Sequence, residues 1–342
     1  MVQDLLLNIK GKSKIVIAES QKLLPDYLAG KPRVVVISDL NIDRLYGEML
    51  APYEKILIGV GESVKTLQTV ETICRRLIEL NADRSTFLLG IGGGIVSDIT
   101  GFVAGIYMRG INFGFVSTTL LSQVDAGVGG KNGVNFDGFK NMIGTFLQPE
   151  FVICDVAMLS TLPEREFRAG LAEIIKSAII ANSELFNELE LHTLESLRVN
   201  KPLLSRIIFE SVKIKARIVE MDEREAGERR KLNLGHTFAH AIEKNSNVMN
   251  HGEAVAAGMV IIADMAHRMG MLKEADLYRI NKIIESYGFV MESPVPMSKM
   301  LKSIMHDKKA HGDTVGLVLP TAIGDCEVKK MTLNEITEFQ LS

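Results

Sequence analysis

The first half of the chain alternates short apolar, often β-branched runs with stretches of helical spacing. The apolar runs predict buried strands at residues 34–39, 56–59, 86–90, 113–117 and 151–155. A helical spacing of apolar residues covers 63–80. Continuous apolar runs are typical of strands covered on both faces, with crossover helices between parallel strands. The pattern therefore predicts a parallel, Rossmann-like α/β sheet.

Helical periodicity dominates the second half of the chain. Pro163 suits the first turn of a helix, and helices are predicted at 164–181, 200–221, 237–245, 253–269 and 273–287. A short strand pair is predicted late, near 315–319 and 326–328. We therefore expect an α/β domain over residues 1–155 and a mainly α-helical domain over 156–342. The motifs described below assign dinucleotide binding to the first domain and metal and substrate binding to the second.

Composition narrows the class of protein. The 342 residues are 46% hydrophobic and 24% charged with a net charge of −3, so nothing global attracts nucleic acid or an anionic membrane. No apolar run approaches the length of a membrane span, and the N-terminus does not have the pattern of a signal peptide. Three widely spaced cysteines disfavour a disulfide framework and indicate a reducing cytoplasm. We expect a cytoplasmic enzyme whose partner is a small molecule.

A glycine-rich turn, GIGGGIVSD, follows the predicted strand at 86–90 and opens a helix. Glycines there let the backbone approach a pyrophosphate at a helix N-terminus. The spacing is not G-x-G-x-x-G, so a turn that merely needs glycine is the alternative interpretation. Asp39, Glu62 and Lys65 follow two other predicted strands. Ligands gather at the carboxyl edge of such sheets, so these charges together favour a dinucleotide site.

Residues 117–133 combine several groups suited to phosphate and sugar. The segment holds Thr118 and Thr119, Asp125, Lys131 and four glycines, and a second lysine follows in Lys140-Asn141. A bland loop would rarely need so many special residues. We interpret the segment as backbone and ammonium groups that converge on a phosphorylated ligand.

One carboxylate and two histidines suggest a metal site. Glu173 and Lys176 share one face of an otherwise apolar helix, which favours a site over a surface ion pair. His236 and His251 each begin a helical stretch, and two imidazoles with one carboxylate leave an open position on a divalent ion such as zinc. His240 shares a face with His236 and could carry a proton or contact an anion. A structural role is the alternative for any single histidine.

Two further groups of side chains complete the candidate site. Glu253 could hydrogen-bond to a metal-binding side chain and so orient it. Arg229 lies one turn before Asn233 and could clamp a substrate carboxylate, and Lys215 lies on the preceding helix. A solvated basic face is the alternative, and it is a fair interpretation of Arg230 and Lys231.

These motifs, in this order, resemble the 3-dehydroquinate synthase family of the sugar-phosphate cyclases, over nearly the whole chain from Asp39 to Lys309. The matching motifs are Gly92-Gly93-Gly94 with Asp98, Tyr107-Met108-Arg109-Gly110, Thr118-Thr119-Leu120-Leu121, Val128-Gly129-Gly130-Lys131, Lys140-Asn141, Leu162-Pro163-Glu164-Arg165-Glu166, Ala172-Glu173-Ile174-Ile175-Lys176, Leu232-Asn233-Leu234-Gly235-His236-Thr237 with His240, and His251-Gly252-Glu253-Ala254-Val255.

The resemblance implies a role for each matched residue. Glu173, His236 and His251 would hold a catalytic zinc or cobalt ion. NAD would be bound by Asp39, Glu62, Lys65, Gly92, Gly93, Gly94, Asp98, Thr118, Thr119, Lys131 and Lys140. The substrate would contact Asp125, Lys131, Asn141, Lys176, Lys215, Glu225, Arg229, Asn233 and His240, with Lys308 or Lys309 on its phosphate. Arg109 would be supplied across the interface of a homodimer.

The implied reaction turns 3-deoxy-D-arabino-heptulosonate 7-phosphate into 3-dehydroquinate and phosphate. It proceeds by transient NAD-dependent oxidation, phosphate elimination, re-reduction and intramolecular aldol closure. Some positions depart from the family pattern: Ala126-Gly127, Asn132, Phe139 and Ser177-Ala178. A sister cyclase that makes a valiolone- or inosose-like ring, a metal-dependent polyol dehydrogenase and a non-catalytic NAD-binding protein are the alternatives.

Overall fold

The computed structural model describes residues 3–7, 13–308 and 314–341. Its strands are β1 (Gln3–Leu7), β2 (Ser13–Ile17), β3 (Arg33–Asp39), β4 (Glu54–Ile58), β5 (Thr86–Gly92), β6 (Phe113–Ser117), β7 (Lys131–Phe136), β8 (Phe139–Phe146), β9 (Phe151–Cys154), β10 (Thr314–Ala322) and β11 (Asp325–Thr332). Its α-helices are α1 (Ser20–Leu28), α2 (Leu40–Leu50), α3 (Leu67–Glu79), α4 (Gly94–Ile106), α5 (Glu164–Ala181), α6 (Ser183–Glu190), α7 (Leu194–Val199), α8 (Lys201–Met221), α9 (His236–Asn245), α10 (His251–Arg268), α11 (Glu274–Ser286), α12 (Met297–Lys308) and α13 (Leu333–Leu341). Within these ranges, no helix combines the length and apolarity that crossing a bilayer requires.

The chain forms two compact units. The first comprises Met1–Pro163 and Lys201–Glu223, and the second comprises Glu164–Asn200 and Arg224–Ser342. Helix α8 belongs to the first unit, where it contacts β1, β2 and the short helical turns at Ser122–Ala126 and Val156–Thr161. The sequence pattern indicated one passage between domains near residues 149–160, and it contains no signal for this return of the chain.

The first unit is built on a seven-stranded sheet with the order β1-β2-β9-β6-β5-β3-β4. All neighbouring strands are parallel except β1 and β2, which pair antiparallel. The predicted α/β class is therefore confirmed, and the antiparallel edge strand β1 was not anticipated. After β3 the chain adds β4 on one side and then β5 on the other, so strand order reverses between β3 and β5. In open parallel sheets this reversal leaves a crevice at the carboxyl edge.

A two-stranded antiparallel hairpin, β7–β8, extends from the first unit and packs on α4. Gly101 of α4 permits the close contact, because a Cβ there would lie 2.0 Å from Oδ1 of Asn132 in the hairpin. The sequence pattern identified residues 117–133 only as a ligand-binding segment, because the hairpin has no clear alternation of apolar and polar residues. The hairpin places Lys131, Lys140 and Asn141 on a folded element of this unit.

The second unit is mainly helical and is organised around α5. From Ala169 to Ile180 every residue of α5 is buried, so this helix is enclosed on all sides. Two glycines of α10 allow backbones to approach closely. A Cβ at Gly252 would lie 2.3 Å from Cα of Ala169, and one at Gly258 would lie 2.1 Å from the carbonyl oxygen of Gly235. Gly235 precedes α9 and has φ +78°, a left-handed conformation that favours glycine. These contacts hold the first turns of α9 and α10 close to α5.

Candidate active site: a buried carboxylate–histidine cluster and a nucleotide-binding edge

The close helix packing brings Glu173 of α5, His236 of α9 and His251 of α10 together. The Nε2 atoms of His236 and His251 lie 3.7 Å and 3.5 Å from Oε1 of Glu173. One possible ligand atom from each residue lies within 4.8 Å of the other two. Among the described residues, no hydrogen bond satisfies either Glu173 oxygen, although the ammonium of Lys176 contacts Oε2. A buried carboxylate whose Oε1 faces two imidazole nitrogens, with no hydrogen bond to that oxygen among the described residues, fits a divalent cation such as zinc.

The electrostatics of the cluster depend on burial and on Lys176. Burial raises the pKa of Glu173, but the positive charges of Lys176 and His251 outweigh it and hold that pKa well below its usual value. Burial and the charge of Lys176 lower the pKa of His236 to about 3. Burial also lowers the pKa of His251, yet the carboxylates of Glu173 and Glu243 outweigh burial and raise it to about 10. The cluster therefore presents an ionised carboxylate and one neutral imidazole before any cation arrives.

Both histidines also have a partner on their second ring nitrogen. Nδ1 of His236 lies 3.2 Å from the carbonyl oxygen of Leu234, and Nδ1 of His251 lies 3.5 Å from Oε1 of Glu243. Such partners orient an imidazole so that Nε2 can bind a metal. Glu243 was missed from the sequence, although it lies seven residues after His236 on the same helix face. The prediction that Glu253 orients a metal ligand was wrong. Its carboxylate accepts hydrogen bonds from Arg165 and from the backbone N–H of Asn250 instead.

Other predicted substrate residues of the second unit lie on the segment before α9, on α9 and at the end of α12. Arg229 is buried, and Nδ2 of Asn233 donates to Oε1 of Glu225, which has φ +62°. His240 is exposed on α9, with its ring centroid 5.6 Å from that of His236. Lys308 ends α12, and Lys309 lies outside the described residues. The assignments of these residues to a substrate stay predictions.

The predicted nucleotide residues gather at the carboxyl edge where strand order reverses. Asp39 ends β3 and caps α2 by accepting from the backbone N–H groups of Asn41 and Ile42. Gly92, Gly93 and Gly94 end β5 and begin α4, and a Cβ on Gly93 would lie 3.0 Å from Cγ2 of Thr119. Thr118 follows β6 with a buried hydroxyl that no described residue hydrogen-bonds. A glycine turn at a helix N-terminus, beside this hydroxyl, fits the phosphates of a dinucleotide.

Lys65 ties this edge to the hairpin. Its ammonium is buried and contacts Oδ2 of Asp98 and Oδ1 of Asn141. Burial raises the pKa of Asp98 to about 6, against the opposing charge of Lys65. Glu62 accepts from Nδ2 of Asn135, at 2.7 Å. Four predicted site residues therefore lie in one hydrogen-bonded group that also includes Asn135, a residue that the motif comparison did not identify.

The remaining predicted residues of the first unit are spread over three places. Lys215 of α8 is buried and donates to both the backbone carbonyl and the carboxylate of Asp125. Lys131 begins β7 and Lys140 lies in β8, and both side chains are exposed. Arg109 is exposed in a turn after α4 where Met108 and Arg109 both have positive φ. The first of these groups is a paired cation and carboxylate.

Local packing explains several of the departures from the family pattern. A Cβ at Gly127 would lie 2.7 Å from both Oγ of Ser117 and the carbonyl oxygen of Ser122, so a serine does not fit this backbone. Asn132 is buried against Gly101 and donates to the carbonyl oxygens of Gly130 and Leu147. Ser177 and Ala178 are buried in α5. At Gly127 and Asn132 the departures are part of a packed arrangement.

Binding of a divalent cation to the cluster is expected to release a proton, because His251 is protonated below its pKa of about 10 and must lose that proton to offer Nε2. His236 is already neutral, so the apparent affinity should rise about tenfold per pH unit between roughly pH 6 and pH 9. Titration calorimetry in buffers of different ionisation enthalpy measures the released protons. His192→Gln, which changes a histidine outside the cluster, should leave the release unchanged. Affinity that does not vary over this pH range would contradict the protonation of His251.

Comparison with known proteins places this geometry in a family. Residues 55–169 match the 3-dehydroquinate synthase N-terminal family and residues 170–310 match the 3-dehydroquinate synthase C-terminal family. The chain is 42% identical to the 3-dehydroquinate synthase of Dictyoglomus thermophilum, over 90% of this chain and 88% of that protein. It is 43% identical to that of Halorhodospira halophila, over 90% and 89%.

A solved structure shares the fold. The 2-epi-5-epi-valiolone synthase ValA of Streptomyces hygroscopicus subsp. jinggangensis, with NAD⁺ and Zn²⁺ bound, superposes with a TM-score of 0.86. It is 28% identical, and the match covers 96% of this chain and 95% of that one. With both family matches and relatives above 40% identity over most of its length, the chain belongs to the 3-dehydroquinate synthase family.

Proposed function

We propose that this protein is a 3-dehydroquinate synthase of the shikimate pathway, a carbon–oxygen lyase of aromatic amino acid biosynthesis. It converts 3-deoxy-D-arabino-heptulosonate 7-phosphate into 3-dehydroquinate and phosphate with NAD and a divalent zinc or cobalt ion. The observation that carries the proposal is the buried Glu173–His236–His251 cluster in a chain that is 42–43% identical to named synthases. When bound, NAD accepts and then returns a hydride, while the divalent ion lowers the pKa of a substrate hydroxyl and polarises the ketone.

The residues around the cluster have the charges that this substrate requires. Glu173, His236 and His251 offer one anionic and two neutral donors once His251 has lost its proton, and leave coordination positions for substrate oxygens. Lys176 keeps Glu173 ionised. The buried guanidinium of Arg229 provides the planar donor geometry that a carboxylate accepts. Asn233, held against Glu225, offers a fixed amide for a hydroxyl.

Residues of the first unit bind the cofactor and the anionic parts of the substrate. The edge formed by Asp39, the 92–94 turn, Asp98, Thr118 and Thr119 receives the dinucleotide, with Glu62 and Lys65 at one side. Lys131, Lys140 and Asn141 come from the hairpin, and Lys215 comes from α8 with Asp125. From the second unit, Lys308 or Lys309 receives the substrate phosphate. Cations around a doubly charged phosphate favour its departure by offsetting the charge that develops on the leaving oxygen.

Turnover by metal-loaded protein with NAD tests the function directly. We expect phosphate and 3-dehydroquinate in equal amounts with no net NADH, because the hydride taken from the substrate is returned to it. Glu173→Gln should lower turnover by on the order of 100-fold or more, since it removes the anionic metal ligand. Coupled assays for phosphate and dehydroquinate, with absorbance of NADH, measure all three products.

The alternatives give different outcomes in the same assay. Turnover of sedoheptulose 7-phosphate in place of the heptulosonate would indicate a sister cyclase, the class of ValA, to which the chain is only 28% identical. Net formation of NADH from simple polyols would indicate a polyol dehydrogenase. Either result, or binding of NAD and metal without turnover, would overturn the proposal. The departure at Gly127 does not call for a different substrate, because packing against Ser117 and Ser122 explains it.

We also propose that the protein is a homodimer. The hairpin and the end of α4 expose a group of large apolar side chains, Ile106, Met108, Phe136, Phe139, Met142 and Phe146. A second copy of this chain is the partner we infer, because Arg109 directly follows the exposed Met108 and the family resemblance implies that Arg109 acts across a dimer interface. Exposed apolar groups of this kind favour association.

Sedimentation velocity tests the dimer. The wild-type protein should sediment at twice the mass of one chain, and Met142→Glu should shift it to the monomer by placing a charge in the apolar group. Leu191→Glu changes an even more exposed leucine of the second unit and should leave the dimer intact. A monomeric wild-type protein, or dissociation by both variants alike, would count against this interface.

The three cysteines are free, and Cys154 and Cys326 are buried. This agrees with a reducing compartment, and the cytoplasmic location stays a prediction.

A further inference from the structure

We propose that Asn135 is a positioning residue that holds Glu62 and Asn141 in place together, so that binding of NAD and binding of substrate share one support. The inference rests on the proposed function, because that function assigns Glu62 to the cofactor and Asn141 to the substrate. Neither the motif resemblance nor the metal chemistry assigns a role to Asn135.

The side chain of Asn135 forms hydrogen bonds through both its amide nitrogen and its amide oxygen. Nδ2 donates to Oε1 of Glu62 at 2.7 Å, and Oδ1 accepts from the backbone N–H of Asn141 at 2.9 Å. Its own backbone N–H donates to the carbonyl oxygen of Lys65 at 2.9 Å. The backbone at Asn135 also forms a parallel bridge with Thr66. Three predicted site residues are therefore fixed through one asparagine.

The local backbone explains why the side chain can reach in two directions. Val134 pairs with Ile143, but Phe136 pairs with Phe139, so the register of the hairpin shifts at Asn135. An irregularity of this kind lets a residue point away from the regular ladder of the sheet. Asparagine alone among small side chains supplies a donor and an acceptor on one planar group. Aspartate keeps the acceptor and loses the donor, and alanine loses both.

The residues that Asn135 supports need this support. Glu62 and Asn141 are exposed, so without a partner each would sample several rotamers or backbone conformations that binding must then restrict. Asn141 has φ +53°, a left-handed conformation that its backbone hydrogen bond to Asn135 stabilises. Oδ1 of Asn141 in turn contacts the ammonium of Lys65, which also contacts Asp98. Loss of the Asn135 side chain should therefore loosen both binding functions without touching either ligand.

The experiment compares Asn135→Ala and Asn135→Asp with wild type, and with Asn112→Ala as a control at an exposed asparagine on the loop before β6. Titration calorimetry gives the Kd for NAD, and steady-state kinetics give KM for the heptulosonate phosphate and kcat. Asn135→Ala should raise both the NAD Kd and the substrate KM about tenfold. Asn135→Asp should raise the NAD Kd at least as much, because it places a second carboxylate beside Glu62. Its KM should stay near wild type, since its oxygen still accepts from Asn141.

Comparing Asn135→Asp in wild-type protein and in Glu62→Gln protein separates a positioning role of Asn135 from a merely structural one. In Glu62→Gln protein the amide of residue 62 can donate to an aspartate at 135, so Asn135→Asp should no longer weaken NAD binding there. A double-mutant cycle of this kind isolates the contact between positions 62 and 135. Equal losses in both backgrounds, or an Asn135→Ala protein with both constants within about twofold of wild type, would overturn the inference. A wild-type protein that binds NAD but does not turn over the heptulosonate phosphate would instead contradict the proposed function, and the NAD cycle would still test Asn135.

Discussion

The candidate active site depends on one buried charge. Glu173 lies in the enclosed part of α5 with about 1% of its surface exposed, where an isolated carboxylate would be strongly unfavourable. Lys176, one turn later on the same helix and equally buried, supplies a compensating cation, and two imidazole nitrogens face the second oxygen. A salt bridge with Lys176 alone leaves the carboxylate oxygens without satisfactory hydrogen bonds. A divalent ion would satisfy them, and this need explains why a chain keeps two charges inside an otherwise apolar helix.

Backbone packing makes this cluster possible. His236 and His251 are far apart in sequence from Glu173, and they meet it only because α9 and α10 approach their neighbours without intervening side chains. Gly252 lies against Ala169 of α5, and Gly258 lies against Gly235 at the start of α9. Any larger residue at these glycines would push a histidine away from the carboxylate. In the first unit, Gly93 similarly allows the backbone to lie close to Thr119, since a Cβ there would be 3.0 Å from Cγ2 of Thr119. The carboxylate–histidine cluster and the nucleotide-binding edge thus both depend on close backbone approach at glycines.

The sequence predicted those parts of the fold that periodicity controls. Strands β3, β4, β5, β6 and β9 and the long helices of the second unit were expected, because each buries a continuous or regularly spaced apolar face. The hairpin β7–β8 was not recognised, because its residues are largely polar or glycine and its pairing depends on contacts with α4. Neither was the membership of α8 in the first unit, since an amphipathic helix does not specify its partner. Such pairings are fixed by tertiary packing and not by local pattern.

The candidate site shows the same division. Glu173, His236 and His251 were identified because an acidic residue in an apolar helix and two histidines in distinctive motifs are visible in the chain itself. Glu243 was missed although its helical spacing from His236 was a usable signal, and Glu253 was predicted in its place. Asn135 had no such signal: its role depends on a register shift in the hairpin. Residues that bind through their own chemistry can be identified from sequence, while residues that position others need the folded backbone.

The measurement that tests the central claim most directly is the visible absorption of Co²⁺ bound to the protein. One equivalent of Co²⁺ should saturate the site. Its ligand-field bands should be typical of nitrogen and carboxylate ligation, because His236, His251 and Glu173 enter the coordination shell. Glu173→Gln should alter these bands and weaken binding, whereas Glu184→Gln, at an exposed position of α6, should leave both unchanged. A spectrum that is the same in wild type and Glu173→Gln would show that the cobalt lies elsewhere and would contradict the account.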